Sequence, residues 1–205
     1  MDLPKAKVFN QRIRIWALRL IGLGVLLPLI VLTRPLWADG MIRELSGLLG
    51  TFLIVAGVLG RFWAILYIGA RKNRLVMQDG PYSVCRHPLY LSSTLGVAGF
   101  GLLLGGISVA AFLTLTVFAV LFATAGREEA FLRDQFGTTY ADYAARVPRI
   151  LPRLAGFHTP AEITVQIAPL RMTYADALVF LGFFPLALGI DWLRAAEIFP
   201  MLTLP

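Results

Sequence analysis

The chain reads as an all-α protein, a polytopic membrane helical bundle of about five transmembrane helices with short cytoplasmic amphipathic helices. Three observations predict this. Apolar residues make up 58% and charged residues 15% of the 205, where a soluble domain carries about 25% charge. Mean hydropathy is +0.73. The apolar residues gather in runs of membrane-spanning length. A single domain, 1–205, is expected. The net charge of +7 is read as basic residues flanking spans and meeting anionic lipid, not as a nucleic-acid footprint. One cysteine, Cys85, excludes an intrachain disulfide and Cys-rich metal sites. His87 and His158 are too few for a His-only zinc site, and no metal ligand is assigned.

The first span runs roughly 15–33. Lys5, Lys7, Arg12 and Arg14 before it resemble a signal peptide, but the apolar run is too long for an h-region and lacks a clear cleavage site. Pro28 is a kink candidate, and Trp37 in the following loop suits an interface. The second span runs roughly 45–70. Within it Gly57 and Gly60 share a face and allow close helix contact. Arg71-Lys72-Asn73-Arg74 ends it, and Asp79-Gly80-Pro81 marks a turn. Pro88 begins a third span, which reaches about Leu104. Gly105-Gly106 turns the chain, and the fourth span covers 107–125. Spans three and four thus form a hairpin whose polar ends lie side by side. The tail 1–14 and the stretch 71–87 each carry four bases and one acid. The positive-inside rule places them, with 126–153, in the cytoplasm.

Leu132, Phe136, Tyr140, Tyr143 and Val147 then recur at spacings of three or four residues. This apolar stripe predicts two short amphipathic helices, separated by Gly137 as a C-cap and restarted by Thr139-x-x-Asp142. Residues 154–172 are poorly patterned. A fifth span covers 174–190, with Asp191, Arg194 and Glu197 beyond it as a candidate paired polar stripe. A re-entrant segment is the alternative.

Two polar feet of the hairpin carry the candidate chemistry. Pro88 suits the first helical position, leaving the amides of Leu89, Tyr90 and Leu91 to face the mouth. A helix N-terminus favours anions, and Arg86 and His87 strengthen that field. A packed cap with Arg86 on lipid phosphate is the plain alternative. Glu128 and Glu129, at the end of span four, suit an ammonium or ribose hydroxyls. A Glu129–Arg133 salt bridge is the plain alternative there. Together the feet suit a ligand bearing both charges, such as an amino-acid group. Tyr82, Tyr90, Tyr140 and Tyr143 add aromatic faces that stabilise a sulfonium, or serve as interfacial belt residues. Cys85 has no visible base and is not a nucleophile candidate.

The run Gly80-Pro81-Tyr82-Ser83-Val84-Cys85-Arg86-His87-Pro88-Leu89-Tyr90 resembles the signature of the isoprenylcysteine carboxyl methyltransferase family and the related phospholipid methyltransferases. The blocks Arg127-Glu128-Glu129-Ala130-Phe131-Leu132, Phe136-Gly137-Thr138-Thr139-Tyr140 with Tyr143, and Val147-Pro148-Arg149-Ile150-Leu151-Pro152 follow in family order. Gly57-x-x-Gly60-Arg61-Phe62-Trp63-Ala64 precedes them. The resemblance covers roughly 45–153. It implies S-adenosyl-L-methionine as methyl donor, giving S-adenosyl-L-homocysteine. It also implies a cytoplasmic cofactor site and a lipophilic acceptor entering from the bilayer. By position Arg86, His87, Pro88 and Tyr90 match the cofactor motif, and Glu128 and Glu129 the paired glutamates; Tyr82, Leu89 and Tyr140 complete the expected binding set. Cys85 departs from the larger or β-branched apolar residue that the family often has there.

The expected reaction is carboxyl O-methylation of an isoprenylcysteine-like or other lipid acid. Phospholipid N-methylation and small-thiol S-methylation remain open. Positioning would supply most of the rate. Glu129 or His87 would take the proton from an amine acceptor, and Arg146 or Arg149 would steer an acceptor carboxylate. Two other classes stay on the table: a nicotinamide-dependent membrane reductase and a non-enzymatic assembly or sensor subunit. The expected setting is a bacterial inner membrane with the N-terminus in the cytoplasm, and membrane lipids are the expected partners.

Overall fold

A computed structural model describes residues 30, 32–35, 40–69, 74–196 and 202–204. The basic tail, most of the expected first span, Arg71-Lys72-Asn73 and Glu197 lie outside the described residues. The described part is a helical membrane bundle. Its helices are α1 (Met41–Ile68), the single turn α2 (Pro81–Val84), α3 (Pro88–Leu103), α4 (Ile107–Arg146), α5 (Ile167–Leu181) and α6 (Phe183–Ala195). A three-residue parallel pair, Thr33–Pro35 with Leu202–Leu204, is the exception to the helical pattern. Helices α1, α4 and the continuous stretch 167–195 are long and apolar enough to cross a membrane; α3 is apolar but shorter, at 16 residues.

Glycine lets α1 and α3 cross closely. A Cβ on Gly57 would lie 2.7 Å from the Ser92 carbonyl oxygen, and one on Gly99 would lie 2.5 Å from that of Gly50. Close backbone approach of this kind holds helices together in lipid, where apolar burial gives no drive.

Several expected boundaries move, and paired charges are the reason. Helix α1 starts four residues before the expected Leu45, because Arg43 has partners inside the bundle. Its guanidinium donates to the Leu103 carbonyl at 2.7 Å and pairs with Asp191. The last apolar stretch begins at Ile167 rather than Tyr174. Its Asp176 pairs with Arg61 of α1, which also donates to Ser93 Oγ at 2.7 Å and sits over the Phe180 ring. The expected Asp191–Arg194 pair forms at 3.2 Å. Arg194 is buried and also donates to the carbonyls of Leu104 (2.8 Å) and Ile30 (2.7 Å). Replacing Arg194 with Met removes donors from two buried carbonyls. A cost of about 2 kcal/mol or more is expected, read as a melting temperature about 5 °C or more lower in detergent.

The expected first amphipathic helix is instead the continuation of α4. Good helix formers fill 127–136 and nothing stops the helix before Gly137. There the backbone turns to φ 52°, ψ −124° and the helix resumes at a new angle. The apolar stripe does its expected work: Tyr140, Tyr143 and Val147 are buried together, with Leu132, Phe136 and Val76 packed on them. Beyond Val147 an extended strap, containing a single 3-10 turn at Leu154–Gly156, leads to α5.

Candidate active site

The signature run 80–90 is a loop held from both sides. Gly80 has φ 59°, and a Cβ there would strike the Tyr67 ring at 2.3 Å, so glycine is required. Pro81 then starts the turn α2. The strap pairs with the loop through backbone bonds. Arg86 N–H donates to the Pro148 carbonyl (2.9 Å), His87 N–H to Arg149 (3.1 Å), Arg153 N–H to Val84 (3.0 Å) and Gly80 N–H to His158 (2.8 Å). The Tyr143 hydroxyl donates to the Tyr82 carbonyl at 2.8 Å. The Cys85 thiol donates to the Ile150 carbonyl at 3.0 Å. Burial pushes that thiol up to about 11, which keeps it protonated and structural.

The two glutamates at the foot of α4 have different surroundings. Glu129 is 2% exposed. Arg149 grips both its oxygens, Nε to Oε1 at 3.0 Å and Nη2 to Oε2 at 2.7 Å. His87 Nε2 lies 3.1 Å from Oε1, and Arg86 Nη2 3.3 Å from the same atom. The expected Glu129–Arg133 alternative is replaced by this longer-range cluster. The hydrogen bond to Glu129 raises the Arg149 pKa above the usual guanidinium value. Glu128 faces the mouth instead. It accepts the Tyr90 hydroxyl at 2.8 Å on Oε2, and His87 Nδ1 lies 3.7 Å from that oxygen. The His87 and Tyr90 rings stack 5.2 Å apart, 1° from parallel.

Burial lowers the His87 pKa below its ordinary 6.5, with Arg86 adding to the effect and both glutamates opposing it. The unfolded chain therefore takes up a proton that the folded chain declines as pH falls below 6.5. Stability is retained above that value and lost below it. The melting temperature should fall as pH drops from about 7.5 to about 5.5, and His87→Gln should flatten the fall.

These residues surround a narrow cleft, open to solvent, with about 70 Å³ of accessible space, smaller than the ~300–1,000 Å³ usual for ligand sites. From the loop, Tyr82, Arg86 and His87 line it; from the start of α3, Pro88, Leu89 and Tyr90; from α4, Glu128 and Tyr140. Glu129 sits behind the wall. Arg146 lies at the surface, bound to Gln78 at 2.9 Å, and does not line the cleft. The amides of Tyr90 and Leu91 both donate to the His87 carbonyl at 3.1 Å. The expected open anion site at the helix start is thus reduced, because the N-cap carbonyl takes these donors. Among the described residues, the Tyr82 hydroxyl, the Tyr140 hydroxyl and Arg86 Nε are buried without a hydrogen-bond partner. Such groups are costly unless a ligand or water meets them. With Glu128 they fit a polar, amino-acid-bearing ligand such as the expected methyl donor.

Met77 and Ile68 were not expected in this wall, and Arg149 was expected to steer an acceptor carboxylate rather than to hold Glu129 from behind it. The run Val147–Pro152 was the available signal for Arg149. Its partner lies 20 residues away, which no helical spacing reveals.

The phospholipid methyltransferase family model matches residues 45–139. The nickel-cobalt-cadmium resistance protein NccN of Alcaligenes xylosoxydans xylosoxydans is 31% identical over 195 residues, covering 95% of this chain and 90% of the relative. The cobalt-zinc-cadmium resistance protein CzcN of Cupriavidus metallidurans is 36% identical over 147 residues, 71% of this chain and 67% of the relative. Protein-S-isoprenylcysteine O-methyltransferase of Schizosaccharomyces pombe is 31% identical over 81 residues, 40% of this chain and 34% of that enzyme. No solved structure matches at a significant level.

Proposed function

The chain belongs to the phospholipid methyltransferase family, and on that premise we propose that it is a membrane enzyme moving a methyl group from S-adenosyl-L-methionine to a lipophilic acceptor. The observation that carries this reading is the convergence of Glu128, His87 and Arg86 on one cleft at the feet of the α3–α4 hairpin. The orphaned Tyr82 and Tyr140 hydroxyls lie in the same wall.

When bound, the donor supplies an electrophilic methyl group on a sulfonium. Glu128 meets its ammonium, and the Tyr90 hydroxyl and stacked His87 ring hold Glu128 in place. The tyrosine faces suit the sulfonium charge. Arg86 adds positive potential for the donor carboxylate while its Nη2 braces Glu129. Glu129 acts from behind the wall, by fixing Arg86, His87 and Arg149. Residues 77–90 and the foot of α4 line the cleft and hold the reactants for in-line transfer, which favours the reaction through positioning. A carboxylate acceptor needs no base.

We place the cleft on the cytoplasmic side of a bacterial inner membrane, from the basic residues around it. The acceptor favoured is a lipid acid of isoprenylcysteine type, since one relative is named for that reaction. Two other relatives are named for resistance to cobalt and cadmium. Carried to this chain, those names point to an acceptor whose methylation alters how the envelope handles such cations. The test is transfer of labelled methyl from the donor into a membrane lipid extract, with product identification. Label in a lipid acid, amine or thiol supports the reading and names the acceptor class. No incorporation, with no donor binding, overturns it.

A further inference from the structure

His87 Nδ1 and Glu128 Oε2 face each other across a short gap beside the cleft. Nδ1 and Oε2 stand 3.7 Å apart, too far for a hydrogen bond between them. Oε2 already accepts the Tyr90 hydroxyl. The other ring nitrogen, Nε2, points at Glu129 Oε1, a carboxylate that only accepts. The proton of a neutral ring therefore belongs on Nε2, and Nδ1 offers a lone pair. That leaves two acceptors turned toward one small space beside the cleft. A ligand with several N–H donors on one cationic nitrogen can meet both.

Burial favours the neutral ring, and the two glutamates beside it oppose that, so its state also depends on how well Glu129 is neutralised. The groups facing His87 are Glu128 and Glu129 from α4, Arg86 from its own loop, the Tyr90 hydroxyl from α3, and Arg149 through Glu129 from the strap. Two carboxylates beside one imidazole would draw a second proton onto it. Arg149 opposes this by binding both oxygens of Glu129. Its guanidinium is set in place by the Phe122 ring, 4.8 Å beneath it, and by the backbone bond from His87 N–H to its carbonyl. Arg149 also lies beyond residue 139, where the family match ends.

We propose that Arg149 is a positioning residue: by neutralising Glu129 it keeps His87 singly protonated on Nε2, so that His87 Nδ1 and Glu128 together seat the primary ammonium of the ligand. This rests on the methyl-donor reading, in which the ammonium is that of the donor. Without Arg149 the ring takes a second proton, its Nδ1–H turns to Glu128, and the ammonium loses one acceptor and meets a like charge.

The test is calorimetric titration of the purified full-length protein with S-adenosylhomocysteine and with its analogue lacking the amino group. Wild type, Arg149→Gln and Arg149→Lys are compared at several pH values. Arg149→Gln is expected to weaken S-adenosylhomocysteine binding by about 10- to 100-fold near neutral pH, with recovery as pH rises. It should change the affinity for the deaminated analogue little, and Arg149→Lys should restore part of the loss. An equal loss for both ligands, or a loss independent of pH, overturns the proposal and leaves Arg149 a structural brace. A wild-type protein that binds neither ligand overturns the donor reading itself. Imidazole nitrogen NMR of the wild type gives a test that needs no variant. A neutral, Nε2-protonated His87 near pH 7 supports the proposal, and a doubly protonated ring there overturns it.

Discussion

Glu129→Ala is expected to destabilise the protein by about 3–5 kcal/mol, the usual cost of breaking a buried charge cluster by removing one partner. The reason is geometric. Glu129 is 2% exposed and receives Arg149, His87 and Arg86. Removing the carboxylate leaves two guanidiniums and an imidazole crowded together with no anion between them. The loop 80–87 and the strap lose the side-chain anchor they share, keeping their backbone bonds. The melting temperature in detergent should drop by about 10 °C or more, and donor binding should be lost with it. Glu129→Gln keeps hydrogen-bond acceptance but not the charge, so a smaller drop and weakened donor binding are expected. Glu128 gives the contrast. It faces the cleft, so Glu128→Gln should leave the melting temperature nearly unchanged and weaken donor binding. Melting curves that respond equally to both substitutions would show that the two glutamates do not have separate roles.

Gly99→Val should also prevent stable folding, because the backbone atoms nearest it cannot yield. An added Cβ meets the Gly50 carbonyl oxygen at 2.5 Å and the Ile54 amide nitrogen at 2.8 Å. Both are backbone atoms of α1, so the helices must separate. Gly57 faces the same limit against Ser92 and Gly96. Overpacking by a methyl or more costs about 1–3 kcal/mol in a soluble core; here it also parts Ile68 of α1 from Leu89 of α3, two walls of the cleft. Little folded Gly99→Val protein is expected on size exclusion, and no methyl transfer. Gly47→Ala is the control, since nothing lies within 4 Å of its added Cβ. Normal folding of Gly99→Val would show that the tight α1–α3 crossing is not required.

Much of the bundle was legible because membranes make local pattern decisive. The hairpin turn at Gly105-Gly106, the α3 start at Pro88 and the break at Gly137 follow from residues that admit few other conformations. The stripe from Leu132 to Val147 packs as its spacing predicts. The misplaced boundaries share one cause. Charge was taken as a limit, yet Arg43 lies inside α1 because it pairs with Asp191 on another helix, and Arg171 lies inside α5. Partners far apart in sequence cannot be seen in hydropathy.

The site was legible as a pair of feet, but not the division of labour between them. Sequence put both Glu128 and Glu129 on the ligand, with Glu129 also the candidate base. A helix turns by about 100° per residue, so one faces the cleft and the other the strap. The strap then supplies Arg149, whose role depends on a tertiary contact. The N-terminal amides of α3 were expected to face a ligand, but the His87 carbonyl takes two of them. Arg146 was expected to act and lies at the surface.

The most direct measurement is calorimetric titration of the purified, lipid-reconstituted protein with S-adenosyl-L-methionine, beside NADPH and beside the Glu128→Gln variant. Saturable donor binding by the wild type is expected, with no NADPH binding. Donor affinity should fall by about tenfold or more in Glu128→Gln at an unchanged melting temperature. Folded wild-type protein that binds NADPH, or binds no donor at all, would contradict the assignment of the cleft to a methyl donor.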